Sequence, residues 1–116
     1  MKLGEQKMIV HKQNDPTLNQ IVDIIVRTVS PRKIILFGSR ARGDNSRNSD
    51  YDIFILNDSN ENERKITTQV YKQFYEEHIN KEIDLITAST EKMNKNLTTT
   101  GFIYKNINEE GIVLYE

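Results

Sequence analysis

The sequence predicts an α/β fold in which helices pack on one small sheet. Two stretches, 15–29 and 63–78, carry apolar residues three and four apart, the spacing of an amphipathic helix. Three short runs, Lys33–Phe37, Tyr51–Leu56 and Lys81–Thr87, are rich in Ile and Leu and too short for helices, so they read as strands. Helices and strands interleave along the chain, and that order builds a sheet covered by helices.

Each element has legible ends. Asp15 suits an N-cap, because its side chain accepts a free backbone N–H, and Pro16 follows where a missing N–H costs nothing. Leu18, Ile21, Val22, Ile25 and Val29 form one stripe; Ser30-Pro31 ends the helix, since proline disfavours helix in the residue before it. The continuous apolar run Lys33–Phe37 is expected to be buried on both faces. Residues 39–49 are polar, with Gly43, Asp44 and Asn45 as turn chemistry, and 57–62 make a solvated turn. In the second helix Ile66, Val70 and Phe74 lie four apart, and His78 stands at its end, where a positive side chain suits the dipole.

The C-terminal part is expected to hold a short helix starting near Ser89 and another from about Thr99 to Glu110. Gly111 is placed as a left-handed cap with Ile112 folding back on Ile107, and 112–115 as a final edge strand. Residues 1–14 form a polar lead-in, and 15–116 a single domain.

Composition excludes several function classes. Sixteen basic residues against seventeen acidic ones give a formal net charge of -1, unlike the strongly basic balance of a protein that coats DNA or RNA, so no stable nucleic-acid complex is expected. With no cysteine, disulfides and thiolate metal sites are out, and any metal must be held by oxygen or by His11 and His78. The apolar runs are far shorter than a membrane span, and the N-terminal residues lack a secretory signal's apolar stretch. A cytoplasmic protein is the expectation.

The chemistry starts from acids. Asp50 and Asp52 stand two apart on the second strand, so both side chains leave the same face. Side-by-side carboxylates repel unless a cation lies between them, and hard oxygen donors suit magnesium or manganese. Asp84 lies in the middle of the next strand, in Glu82-Ile83-Asp84-Leu85-Ile86, where apolar neighbours make an unpaired charge costly and a buried or semi-buried partner is expected. Any one of these acids alone would be a surface residue. Strands disfavour Asp, and three of them in apolar strands point to a metal site. If the second and third strands are neighbours, the three converge. Such a trio around two cations serves transfer at phosphorus.

An anion site is suggested beside them. Gly38-Ser39 follows a buried strand and begins a short helix, where free N–H groups point outward. Glycine allows close approach of a triphosphate, the Ser39 hydroxyl adds a hydrogen bond, and Arg40 and Arg42 either brace the phosphates or shape the loop.

Gly38-Ser39, ten residues, then Asp50-x-Asp52 resembles the signature of the DNA polymerase β-like nucleotidyltransferase superfamily. Phe37-Gly38-Ser39-Arg40-Ala41-Arg42-Gly43 and Ser49-Asp50-Tyr51-Asp52 are similar to its small prokaryotic branch, the minimal nucleotidyltransferases, and so is the ending Ile107 to Tyr115. The resemblance implies a small mixed sheet of the polymerase palm type. It also implies that Asp50 and Asp52 bind both metal ions, that Asp84 completes the triad, and that Gly38 and Ser39 bind the β- and γ-phosphates. The implied reaction moves a nucleoside monophosphate, AMP from ATP or the equivalent from another nucleoside triphosphate, onto a hydroxyl with Mg2+ or Mn2+.

Larger relatives carry extra domains that grip the acceptor, and none is visible here. The resemblance implies instead an antitoxin that transfers AMP to a tyrosine of a HEPN-domain ribonuclease partner. Two alternatives are a non-catalytic module that neutralises its partner by contact, and a nucleotidyltransferase acting on an antibiotic-like small molecule. Intact Asp50, Asp52 and Asp84 speak against the first; the second needs an acceptor pocket not visible in this length.

Overall fold

The computed structural model describes residues 8–98 and 103–116. In chain order its elements are α1 (Pro16–Val29), β1 (Lys33–Phe37), α2 (Gly38–Arg42), β2 (Tyr51–Leu56), α3 (Glu63–Glu76), β3 (Ile83–Ala88), α4 (Thr90–Asn96), α5 (Tyr104–Glu110) and β4 (Ile112–Tyr115). The strands form one sheet in the order β3-β2-β1-β4. β1 runs antiparallel to both β2 and β4, while β2 and β3 are parallel, so the sheet is mixed. The parallel pair is joined by α3, the kind of crossover parallel neighbours require.

The first helix forms for the reasons its sequence gives. Asp15 accepts the Leu18 amide at 3.1 Å, Pro16 is the first helical residue, and the stripe buries Leu18, Ile21, Val22 and Ile25 together with Ile24. Ser30 then turns left-handed at φ 46°, and Pro31 prevents continuation.

Both faces of the sheet are covered. Ile34, Leu36, Ile53 and Ile55 pack with α1 and with Val70 and Phe74 of α3. Ile35, Phe37, Phe54 and Leu56 face the other way, toward Met93 of α4 and Tyr104 and Ile107 of α5. Phe54 is fully buried and meets the Tyr104 ring edge-on, with centroids 6.1 Å apart. Truncating such a side chain to alanine costs on the order of 3–5 kcal/mol. A register shift opposite Ile34 and Ile35 lets the consecutive residues Leu114 and Tyr115 both join the α1-side core.

Several expectations change. Gly111 is not a left-handed cap: it is extended, at φ −69° and ψ 150°. Its amide donates to the Ile107 carbonyl at 2.9 Å, and an added Cβ would collide with that oxygen and with Ile35 Cγ2. Glycine is needed there for close approach of α5 to the sheet. Ile112 accordingly pairs with Leu36 in β4 instead of folding back. The third strand starts at Ile83, two residues later than expected, and ends at Ala88. His78 lies beyond the end of α3 in a left-handed conformation (φ 58°), with its amide on the Tyr75 carbonyl.

The described helix α5 begins at Tyr104; the expected helix start at Thr99 and the rest of 99–102 lie outside the described residues, as do 1–7 of the lead-in. Residues 8–11 supply an edge element: Val10 bridges Tyr115, and Ile9 and Glu116 exchange two backbone hydrogen bonds. The turn after β2 is less idle than its polarity suggested. Asp58 accepts from the Thr90 amide and hydroxyl at 2.7 and 2.8 Å and so fastens the start of α4.

Candidate active site

Asp50 lies directly before β2 and Asp52 is the second residue within it. Across the parallel pair, Asp52 is the register partner of Asp84. Side chains of paired residues leave the same face, here the face that carries Phe54 and Ile86 toward α4 and α5. Along β2 and β3 the apolar residues of that face begin at Phe54 and Ile86, so the acids sit at the open end of these two strands. Asp50 and Asp52 are half-buried. Asp84, for which a buried or semi-buried partner was expected, is itself exposed on the outer strand β3, beside the half-buried Asp52.

The local field is unbalanced. Burial pushes the Asp52 carboxyl above the ordinary aspartate range, the charges of Asp84 and Asp50 push it further, and Arg42 alone opposes them. Glu82, missed in the sequence reading, belongs to the same group: its carboxyl shares a hydrogen bond with Asp50, which raises its pKa, and the charges of Asp50 and Asp84 add to the rise. Its position two residues before Asp84 was the available signal, since that spacing repeats a strand face. Among the described residues no three His, Asp or Glu side chains are already closed into a coordination cage. The donor set nevertheless fits a hard divalent cation: carboxylate oxygens from adjacent strands, one held half-buried among like charges that a cation would relieve.

Gly38 closes the other side. It follows Phe37, the partner of Asp52 in the antiparallel ladder, and has φ +73°. A Cβ at this position would collide with Asp52 Oδ2. Ser39, half-buried, stands in the first turn of α2, and its carbonyl accepts from Gly43 and Asp44 at 2.9 and 3.1 Å. Gly43 is left-handed at φ 83°, the glycine cap that stops this short helix.

The two arginines behave differently. Arg42 is exposed, pairs with Asp44 at 3.1 Å and reaches Glu110 at 3.9 Å. Arg40 is turned into the loop: Nε and Nη2 donate to the Ser49 carbonyl at 3.1 and 2.8 Å, and Nη2 also donates to Arg47 O at 3.2 Å. Of its two expected roles, phosphate brace and loop shaper, this geometry is the second.

Of the acids, Glu82 and Asp84 border a groove, which Asp50 and Asp52 do not line. A cleft of about 700 Å³ lies at the far end of β1 and β2, lined by Met8, Ile9, Arg32 and Asn57 among others. A shallower groove of about 330 Å³, lined by Tyr71, Phe74, Lys81, Glu82, Ile83 and Asp84, runs along the outer edge of β3. Carboxylates on an open sheet end, with a tight glycine turn beside them, suit a large charged ligand that brings its own counter-ions better than a small apolar one.

Comparison with known proteins gives the class. The family described as polymerase beta, nucleotidyltransferase, matches residues 19–116, and the chain belongs to that family. It has the form of a minimal nucleotidyltransferase domain, with the mixed α/β sheet of the polymerase β fold. In fold it is similar to a chain from a crystal structure of a toxin-antitoxin with AMP-PNP, at a TM-score of 0.56 and 22% identity, over 83% of this chain and 70% of that one. No curated protein matches it by sequence. No described helix is long and apolar enough to cross a membrane.

Proposed function

We propose that this protein transfers a nucleoside monophosphate, AMP from ATP, to a hydroxyl on a partner protein. The observation that carries the proposal is the pairing of Asp52 with Asp84 beside Gly38. Asp50, Asp52 and Asp84 would hold divalent cations, magnesium or manganese. When bound, such ions make the attacking hydroxyl more acidic and neutralise charge on the departing pyrophosphate.

The chain's own groups do the rest. Gly38 and Ser39 receive the β- and γ-phosphates; the absent Cβ at Gly38 lets this turn close over Asp52, and Arg42 stands nearby as an exposed cation. The acceptor oxygen forms a bond to the α-phosphorus, the bond from that phosphorus to the bridging oxygen breaks, and pyrophosphate leaves. Asp84 takes the hydroxyl proton. Its exposure on the outer strand suits this role, since an acceptor arriving from outside meets it first.

The acceptor is proposed to be a tyrosine of a HEPN-type toxin, which makes this chain the antitoxin. Support comes from the sequence motif and from the open site, whose neighbouring groove along β3 is wide open to solvent. The fold is also that of a chain found in a toxin-antitoxin structure. Incubating the protein with ATP, magnesium and the HEPN-type protein encoded beside it should add AMP to that partner, read by intact mass. No mass gain with any nucleoside triphosphate contradicts the proposal.

A further inference from the structure

Arg40 makes a set of contacts that nucleotide binding does not explain. Its guanidinium donates twice to the carbonyl of Ser49, the residue directly before Asp50, and once to that of Arg47. The same group lies over the Tyr51 ring, its Cζ 4.0 Å from the centroid. Tyr51 is buried, and its hydroxyl donates to Asp15 Oδ2 at 2.9 Å. Asp15 is in turn the N-cap of α1, with Oδ1 on the Leu18 amide at 3.1 Å. An unbroken line of contacts thus runs from the start of α1 through Tyr51 and Arg40 to the peptide carbonyl that carries Asp50.

Asp50 needs such an anchor. It lies just outside β2, so beyond the Tyr51 amide, which is bonded to Glu82 O at 3.0 Å, no ladder of the strand holds its backbone. Asp52, by contrast, is fixed by strand pairing on both sides. Ser49 also bonds to Ser46 through its amide and hydroxyl, but these contacts leave its carbonyl to Arg40; without Arg40 that carbonyl loses its two guanidinium bonds and the Asp50 carboxylate can shift relative to Asp52.

We infer that Arg40 is a positioning residue for Asp50: by clamping the Ser49 carbonyl against Tyr51 it sets the carboxylate for cation binding, and it does not itself bind the nucleotide. The inference rests on the proposed metal-dependent transfer. A planar fork that both donates twice and stacks is specific to arginine; lysine offers a point charge without that geometry. Groups that orient metal ligands typically affect metal affinity by about 10–100-fold.

The test compares the wild-type protein with Arg40→Lys and with Tyr51→Phe, which keeps the ring but drops the link to Asp15. Free Mn2+ is followed by its electron spin resonance signal, ATP binding is measured without metal by calorimetry, and thermal midpoints check folding. Arg40→Lys should weaken Mn2+ binding about tenfold or more while ATP affinity stays within about twofold, and Tyr51→Phe should shift Mn2+ affinity in the same direction by less. Weaker ATP binding with unchanged Mn2+ affinity in Arg40→Lys overturns the inference in favour of a phosphate ligand. Unchanged Mn2+ affinity in both variants overturns it as well. Wild-type protein that binds no Mn2+ defeats the metal-dependent reading itself, a result separate from either variant outcome.

Discussion

Gly38 stands so close to the Asp52 carboxylate that no side chain fits between them. The left-handed backbone of Gly38 and the half-buried Asp52 are therefore one structural unit, because the strand pairing that seats Phe37 opposite Asp52 also brings the next residue over the carboxylate. Gly38→Ala must move either the backbone or Asp52. A positive φ on a residue with a Cβ costs about 1–3 kcal/mol, and displacement of a reacting group by about 1 Å can cost about a hundredfold in rate. The expected result is a lowered thermal midpoint together with loss of transfer; unaltered turnover would show that the turn does not address the reaction.

Asp84 separates function from stability. It is exposed, so Asp84→Asn removes a charge without leaving a buried group unpaired. The variant should keep its circular dichroism and melting midpoint and lose about 10²–10⁴-fold in transfer rate. A variant that also melts early would assign Asp84 a structural part.

The carboxylates make the metal-free protein sensitive to pH in a definite direction. The folded-state pKa of Asp52 is raised, by burial and then by Asp84 and Asp50, and that of Glu82 is raised too, chiefly through Asp50. A group whose folded pKa exceeds its unfolded one binds protons better in the fold, so it destabilises the fold above that raised value. The penalty is relieved as pH falls through the raised pKa toward the ordinary carboxylate range. In buffer stripped of metal, Asp52→Asn should melt higher than wild type near neutral pH, and the gap should close as the pH approaches that range. Magnesium should raise the wild-type midpoint and leave Asp52→Asn nearly unmoved; saturation at about a hundred times Kd corresponds to about 2.7 kcal/mol.

Gly111→Ala tests packing away from the site. The collision with Ile107 O and Ile35 Cγ2 should cost about 1–3 kcal/mol, read as a midpoint lowered by several degrees. ATP affinity should be unchanged, because Gly111 does not touch the acids.

How much of this was legible depended on how local the cause was. Helix α1 was readable because Asp15, Pro16, the apolar stripe and Ser30-Pro31 act within a few residues of one another. The acids of β2 and β3 were visible as charges in apolar strands, and their same-face arrangement followed from adjacency once the strands were neighbours. Gly111 misled because glycine after a helix usually serves left-handed geometry, whereas the demand here comes from close contacts with the Ile107 carbonyl and with Ile35, the latter 76 residues earlier in the chain. Glu82, and the partner that decides between the two roles read for Arg40, were hidden for a similar reason: the Asp50 carboxyl and the Ser49 carbonyl come within reach only after the chain has folded. The apolar neighbours of Asp84 pointed to a buried or semi-buried partner but not to its own exposure, which its place on the outer strand decides.

Transfer of a nucleoside monophosphate is read most directly from the fate of two labels. The protein is incubated with magnesium, its HEPN-type partner and ATP labelled at either the α- or the γ-phosphate, and the partner is isolated. Label retained from the α-phosphate alone, and lost with Asp52→Asn, is the predicted result. Label from the γ-phosphate, or from neither, contradicts transfer of a nucleoside monophosphate by these aspartates.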